Sequence, residues 1–273
     1  MQMPPERILA QLRSRFLRNG SLLLRPGLLA GLLMGTLTCC TPRKPAVDDR
    51  TAAWDQKLCL HLNALQELDL GNTESVRRML ADDCLQIVAS IVEKIGSLDS
   101  EDLYKQSSLR SAASYWKDKP IPPNLPFFST AGAAVSNRVF EALALVGRQL
   151  DMNVQPRPLR PWENHLPGND IISDKLRLDL TLLPALDAGN TNFVRARLTQ
   201  SCLGAIFWVA HGAGSSTDLL CAQPGLRAAA AYWATNPIPS GTTILADQNF
   251  SNSVYHALRV VQSSSQERSA ATR

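Results

Sequence analysis

Leucines at 58, 62, 65 and 68 recur at spacings of four, three and three, which places them on one face of a helix from about Asp55 to Leu70. Gly71 then suits a left-handed helix end, and Asn72 or Thr73 offers a side-chain oxygen to start a second helix. That helix runs to about Ile95 and stops at Gly96, and a third is predicted from about Glu101 to Lys117. Pro120, Pro122, Pro123 and Pro126 forbid regular structure before a fourth helix from about Ala131 to Leu150. Alternation at period two is confined to short Leu-x-Leu-x-Leu stretches, so the predicted class is all-α.

The same pattern is written twice. Lys57-Leu-x-Leu-x-Leu62 returns as Lys175-Leu-x-Leu-x-Leu180, Leu68-Asp-Leu-Gly-Asn-Thr73 as Leu186-Asp-Ala-Gly-Asn-Thr191, and Cys84-Leu85 as Cys202-Leu203, all 118 positions on. Leu109 to Trp116 returns as Leu226 to Trp233 and Pro120-Ile-Pro122 as Pro237-Ile-Pro239, 117 on; Ser136 to Leu143 returns as Ser251 to Leu258, 115 on. Collinear blocks with so little drift predict an internal duplication of two tandem four-helix units. The first unit is assigned to residues 54–151 and the second to 173–262, joined by a proline-rich extended connector over 152–172 and followed by a disordered tail, 263–273. In the second unit Pro184 should kink the first helix or mark a late start, and Pro224 should start the third near Gly225, after an irregular stretch containing Cys221.

Charge changes the picture at the front of the chain only. The formal net charge is +4, but residues 1–39 hold five arginines (7, 13, 15, 18 and 25) against Glu6, and the remainder carries 23 basic and 23 acidic residues. A neutral body lacks the cationic surface that a phosphate backbone demands, so no nucleic-acid partner is expected. The hydrophobic content of 45% is enough for a buried core in a chain of 273 residues.

The arginines are followed by an apolar run from Gly27 to Thr38 and then by Cys39 and Cys40, the order of an export signal. Twelve residues span only about 18 Å of helix, short of the roughly 30 Å of a bilayer core. Leu37-Thr38-Cys39-Cys40 resembles the bacterial lipoprotein signal, in which an apolar run ends at a cysteine that is acylated and becomes the first residue. The resemblance covers the leader alone and implies lipidation at Cys40, where Leu37 and Thr38 occupy the −3 and −2 positions, or else at Cys39. Residues 1–39 are thus read as a signal peptide and 40–53 as a polar tether, which makes the membrane, through a lipid anchor, one expected partner and the periplasm-facing cell envelope the expected location.

An oxidising compartment raises the question of pairing among the other four cysteines. Cys59 and Cys84 lie equally far on either side of the Gly71-Asn72 turn, and Cys202 and Cys221 straddle the turn near His211 and Gly212, so helical hairpins would bring each pair level. The disulfides Cys59–Cys84 and Cys202–Cys221 are expected, each stabilising its hairpin by roughly 3 kcal/mol in the chain-entropy model. No C-x-x-C or H-x-x-x-H spacing exists, so no metal and no cofactor is expected.

Templates for catalysis fail in turn. His211-Gly-Ala-Gly-Ser-Ser-Thr217 lacks the Gly-Lys of a phosphate loop and follows a helix. Ser215 has no nucleophile-elbow glycines, and none of His61, His165, His211 or His256 has a histidine at the matching repeat position. The acidic pair that the repeats share, Asp69 and Asp187, precedes Gly-Asn-Thr and is expected to hydrogen-bond within its turn. Tyr115-Trp116 and Tyr232-Trp233 are candidate stacking or docking groups, and Phe127, Phe128, Trp162, Phe207 and Trp208 are further candidates as aromatics that the repeats do not share. The expected function is that of a non-catalytic helical adaptor, or an immunity-type inhibitor, acting on an unidentified envelope protein. The alternative is a peptidoglycan hydrolase using Asp69, Asp187, Glu67 or Glu141.

Overall fold

The Leu-Asp-x-Gly-Asn-Thr sequence folds alike at both of its occurrences. Gly71 (φ 77°) and Gly189 (φ 73°) take the left-handed conformation that glycine adopts without a Cβ penalty. Asn72 N–H then donates to Glu67 O (2.9 Å) and Asn190 N–H to Ala185 O (2.8 Å), closing the preceding helix as a Schellman motif. Asn190 Oδ1 also accepts from Phe193 N–H (3.2 Å) and caps the helix that follows. Asn72 instead turns its amide back to Glu67 Oε2 (3.0 Å).

The computed structural model describes residues 49–153, 169–214, 216–239 and 241–271, and these are helical with no strand among them. In chain order the helices are α1 (Asp49–Asp69), α2 (Thr73–Ile95), α3 (Ser100–Lys105), α4 (Ser107–Lys117) and α5 (Pro126–Asp151). There follow α6 (Asn169–Asp187), α7 (Thr191–Ala213), α8 (Thr217–Ala222), α9 (Pro224–Thr235), a 3-10 turn (Thr243–Ala246) and α10 (Gln248–Ala271). The described residues belong to one compact unit, 45–273.

Several boundaries depart from expectation for local reasons. The predicted third helix is two pieces, broken at Gln106 (ψ 108°) and, in the second half, at Gln223 (ψ 116°). At each break an arginine from the next helix takes over the orphaned carbonyls: Arg110 Nη1 donates to Tyr104 O and Lys105 O, and Arg227 Nη1 to Cys221 O (2.7 Å) and Ala222 O (3.1 Å). Cys221 therefore lies in the short helix α8 and not in an irregular stretch. The fourth helix begins at Pro126 and bends at Gly132 (φ 75°, ψ 165°). Helix α1 starts at Asp49, inside the expected tether, and α6 at Asn169, inside the expected connector. Pro184 sits in the last turn of α6, where it has no N–H to donate to the Leu180 carbonyl and only three helical residues lie beyond any bend it causes. The tail expected to be disordered continues α10 to Ala271.

The two halves are interleaved. Helix α1 lies mainly against α7 and α9 of the second half and only secondarily against α2, while α6 lies mainly against α2, with α4 and α7 beside it. Helix α5 completes the layer over α2, α3 and α4, and α10 does the same over α7, α8 and α9. Each half thus lends its first helix to the other. Close approach makes this possible at two glycines: a Cβ on Gly225 would lie 2.6 Å from Asp55 O, and one on Gly212 only 3.2 Å from Thr51 Cβ. Asp55, buried on α1, accepts from Gly225 N–H (3.1 Å) and Leu226 N–H (3.2 Å), so a carboxylate of one half meets the amino end of a helix of the other. Leucines 58, 62 and 65 are sealed in the core, as their spacing predicts, but most of what they cover comes from the second half.

The exchange corrects the disulfide expectation. Cys59, Cys84, Cys202 and Cys221 are all free thiols. Cys59 lies near Asp55 and Arg227, Cys84 near Asp179 and Trp116, and Cys202 near Lys57, because α1 leaves the hairpin with α2 that would have levelled the first pair. Burial pushes the Cys84 and Cys202 thiols well up.

Candidate functional site

Three features bring chemistry together: a matched pair of carboxylate corners, a sealed polar cluster, and a pair of equivalent grooves. The corners hold the acidic residues that the repeats share. Asp187, ending α6, receives Tyr115 OH (3.1 Å) and Arg77 (2.9 Å) and is also paired with Lys119. Asp69, ending α1, receives Tyr232 OH (2.9 Å) and is paired with Arg195. Asp69 and Asp187 therefore bond across to other helices instead of within their turns, and each meets a tyrosine from the opposite half of the chain. Partial burial, with Asp69 adding to it, pushes the Tyr232 hydroxyl up to about 12. Glu67, the third acidic candidate, accepts from Asn72, and Glu141 is exposed on α5. A cleft of about 600 Å³ lies beside Asp187, walled by Trp116, Pro120, Ile121 and Pro122. The second aromatic pair, Tyr232 and Trp233, is half-buried, with the rings edge to face at 5.4 Å.

The polar cluster sits among α1, α2, α6 and α7. Lys175 Nζ pairs with Asp83 Oδ1 at 2.5 Å. Burial, then the neighbouring Asp83, pushes the Asp179 carboxyl well above the usual carboxylate range. Asp83 Oδ2 and both Asp179 carboxyl oxygens are buried without a hydrogen-bond partner among the described residues. His61 is fully buried with both ring nitrogens unpartnered, and burial together with Lys57 and Lys175 holds its basicity well below the ordinary histidine value. Burial likewise lowers Lys57, against the pull of Asp179 and Asp174. Lys57 and Lys175 occupy the same repeat position, as do His61 and Asp179. Among the described residues no group of three or more His, Cys, Asp or Glu is placed to hold a metal ion.

Two grooves flank this cluster. The first, about 560 Å³, runs between α1 and α2 and is lined by Leu60, Met79, Asp82, Gln86 and Lys175, among others. The second, about 320 Å³, runs between α6 and α7 and is lined by Leu178, Arg197, Gln200, Gly204 and Lys57. These residues correspond one to one at an offset of 118, and so do Gln56 with Asp174 and Asp83 with Ser201. The frames match while the charges do not. Glu74, Asp82 and Asp83 face Arg78 and Lys175 in the first groove, whereas Lys57, Arg177 and Arg197 face Asp174 in the second. Trp54 and Trp208 stack at the second groove with ring centroids 6.0 Å apart, and Lys57 Nζ lies 4.8 Å from the Trp54 ring.

Of the other residues singled out from sequence, Phe127 is buried and donates its N–H to Asp82 Oδ1 (2.6 Å), and Phe128 packs between Phe127 and Phe140. His211 stacks on Phe207 and His256 lines a small cleft beside it. Cys39, Cys40, Trp162, His165 and Ser215 lie outside the described residues. Shared residues of the repeats do not mark the grooves or the cluster, whose signal lies at matching positions with unlike residues. No helix among the described residues is long and apolar enough to cross a membrane. No protein-family model, curated protein or solved structure matches the chain.

Proposed function

We propose that this chain is an exported bacterial envelope protein, tethered by a lipid on Cys40 (or Cys39), whose helical body arose by duplication of one segment and binds a partner protein without catalysing a reaction, as an adaptor or an immunity-type inhibitor. The observation that carries the reading is the pair of equivalent grooves with unlike linings. Duplication supplies two copies of one frame, and divergence of the side chains gives each its own specificity. The alternative of a peptidoglycan hydrolase draws less support, since Asp69 and Asp187 are each engaged by a tyrosine and a cation and His61 is shut away from solvent.

The test has two readouts. The full chain expressed in a diderm bacterium is labelled metabolically with an alkyne fatty acid and affinity-purified from the membrane fraction. Acylation lost in Cys40→Ser or Cys39→Ser, together with a reproducible partner by mass spectrometry, is the expected outcome. Unlabelled protein recovered from the cytosol contradicts the address. Cell-wall turnover abolished by Asp69→Asn or Asp187→Asn contradicts the non-catalytic role.

A further inference from the structure

The second groove carries a side-chain chemistry that its counterpart lacks. Three cations, Lys57, Arg177 and Arg197, line it, and Asp174 is the only carboxylate among the described lining residues. Arg177 and Arg197 are exposed, and Arg197 spends one donor on Gln200 Oε1 (3.2 Å), which leaves the rest of its fork free for a carboxylate. Trp208 is 47% exposed although it stacks on Trp54, so a flat apolar surface stands open beside the cations. Gly204 forms part of the wall, and a Cβ there would meet only Ile244 Cδ1, at 3.9 Å. Tryptophan and arginine lining one groove are residue types that dominate binding energy where proteins meet.

We propose that this groove between α6 and α7 docks an acidic segment of a partner protein, its carboxylates taken by Arg177 and Arg197 and a neighbouring aromatic side chain laid against Trp208. The charge balance selects the occupant. An acidic segment complements the exposed Arg177 and Arg197, with Lys57 beneath them, facing one carboxylate, while the equivalent groove sets Glu74, Asp82 and Asp83 against Arg78 and Lys175 and favours it less. Seven lining positions correspond between the two grooves, and Arg177, Trp54 and Trp208 are added in the second alone, so discrimination rests on the side chains each groove presents. The volume of about 320 Å³ suits two or three side chains of an extended peptide and not a folded domain. This inference rests on the binding role proposed above and adds the partner's chemistry and its place of attachment.

The probe is an array of immobilised hexapeptides that places two acidic and one aromatic residue in every arrangement on an alanine background, with lysine-for-acid peptides as controls. The detergent-solubilised full chain is applied as wild type, as Arg177→Glu/Arg197→Glu and as Gly204→Leu. The charge variant alters exposed residues and should keep the wild-type circular dichroism and melting curve, while a Cβ at Gly204 meets only Ile244 Cδ1 at 3.9 Å, so the leucine variant should keep the circular dichroism with a Tm no lower than wild type. Retention of acidic-aromatic peptides by wild type, at least about tenfold weaker in both variants, is the expected result. Retention no better than on the lysine controls, or equal in all three proteins, overturns the assignment. A cellular partner captured equally by wild type and the charge variant also overturns the groove while leaving the binding role intact. Groove-dependent peptide binding with no cellular partner contradicts the adaptor role alone.

Discussion

Replacing Gly225 by alanine separates local propensity from the packing of the interleaved halves. Gly225 is the second residue of α9, where alanine should normally stabilise, by about 0.4–1 kcal/mol, through a stiffer unfolded chain. The structure reverses the sign. The new methyl would lie 2.6 Å from Asp55 O and 2.7 Å from Asp55 Oδ1, closer than real side chains approach, and the nearer atom is backbone. Helix α9 must then move off α1 by several tenths of an ångström, stretching the two hydrogen bonds to the Asp55 carboxylate, now 3.1 and 3.2 Å. Overpacking of this kind costs about 1–3 kcal/mol, and weakening bonds to a buried charge adds to it. After the propensity gain a net loss of about 1–3 kcal/mol remains, which for a chain of this size lowers Tm by roughly 2–12 °C. Thermal and urea unfolding followed by circular dichroism at 222 nm measures it, with Gly204→Ala as the control. The Gly204 methyl meets only Ile244 Cδ1 at 3.9 Å, so that variant should gain about 0.5–1 kcal/mol. A Gly225→Ala protein as stable as wild type, or more so, refutes the contact between α1 and α9.

Two further predictions concern the buried titratable groups. His61 has its folded basicity held well below that of the unfolded chain, so the folded state binds fewer protons below about pH 6.5 and stability falls as the pH drops through that region, by at most about 1.4 kcal/mol per unit. His61→Leu should abolish that acid loss, and urea midpoints at pH 5 and 7.5 that shift as in wild type would contradict the burial of His61. Cys84 and Cys202 are sealed and their thiols are pushed up, so iodoacetamide should leave both unmodified until urea unfolds the chain, as peptide mass spectrometry reads directly. Rapid alkylation of either in the folded protein would refute their placement.

Much of the helix inventory was legible in the chain. The leucine spacing gave the buried face of α1, and Gly71, Gly96 and Gly189 marked ends that occur where left-handed glycines are found. Periodicity says which face is buried but not what buries it, and so the exchange of α1 and α6 was not legible. The expected Cys59–Cys84 disulfide failed for the same reason, since it assumed that α1 pairs chiefly with α2. At the breaks at Gln106 and Gln223, Arg110 and Arg227 reach back five and six residues to the orphaned carbonyls, a side-chain contact that hydrophobic periodicity does not encode. The polar cluster stayed hidden because His61 and Asp179 fall at the unmatched positions of the Leu-x-Leu-x-Leu blocks, where unlike residues look like ordinary divergence. Trp54 and Trp208 lie on different halves, and only the interleaving brings them into one groove.

The interleaving itself is tested most directly at Lys119. Its ammonium pairs with Asp187 across the two halves, whereas self-contained units would put Asp69, the repeat equivalent, in that place. Carbodiimide cross-linking of the monomeric full chain, followed by proteolysis and mass spectrometry, reads out which carboxylate has been joined to Lys119. The account predicts a Lys119–Asp187 linkage and no Lys119–Asp69 linkage; the converse result contradicts it.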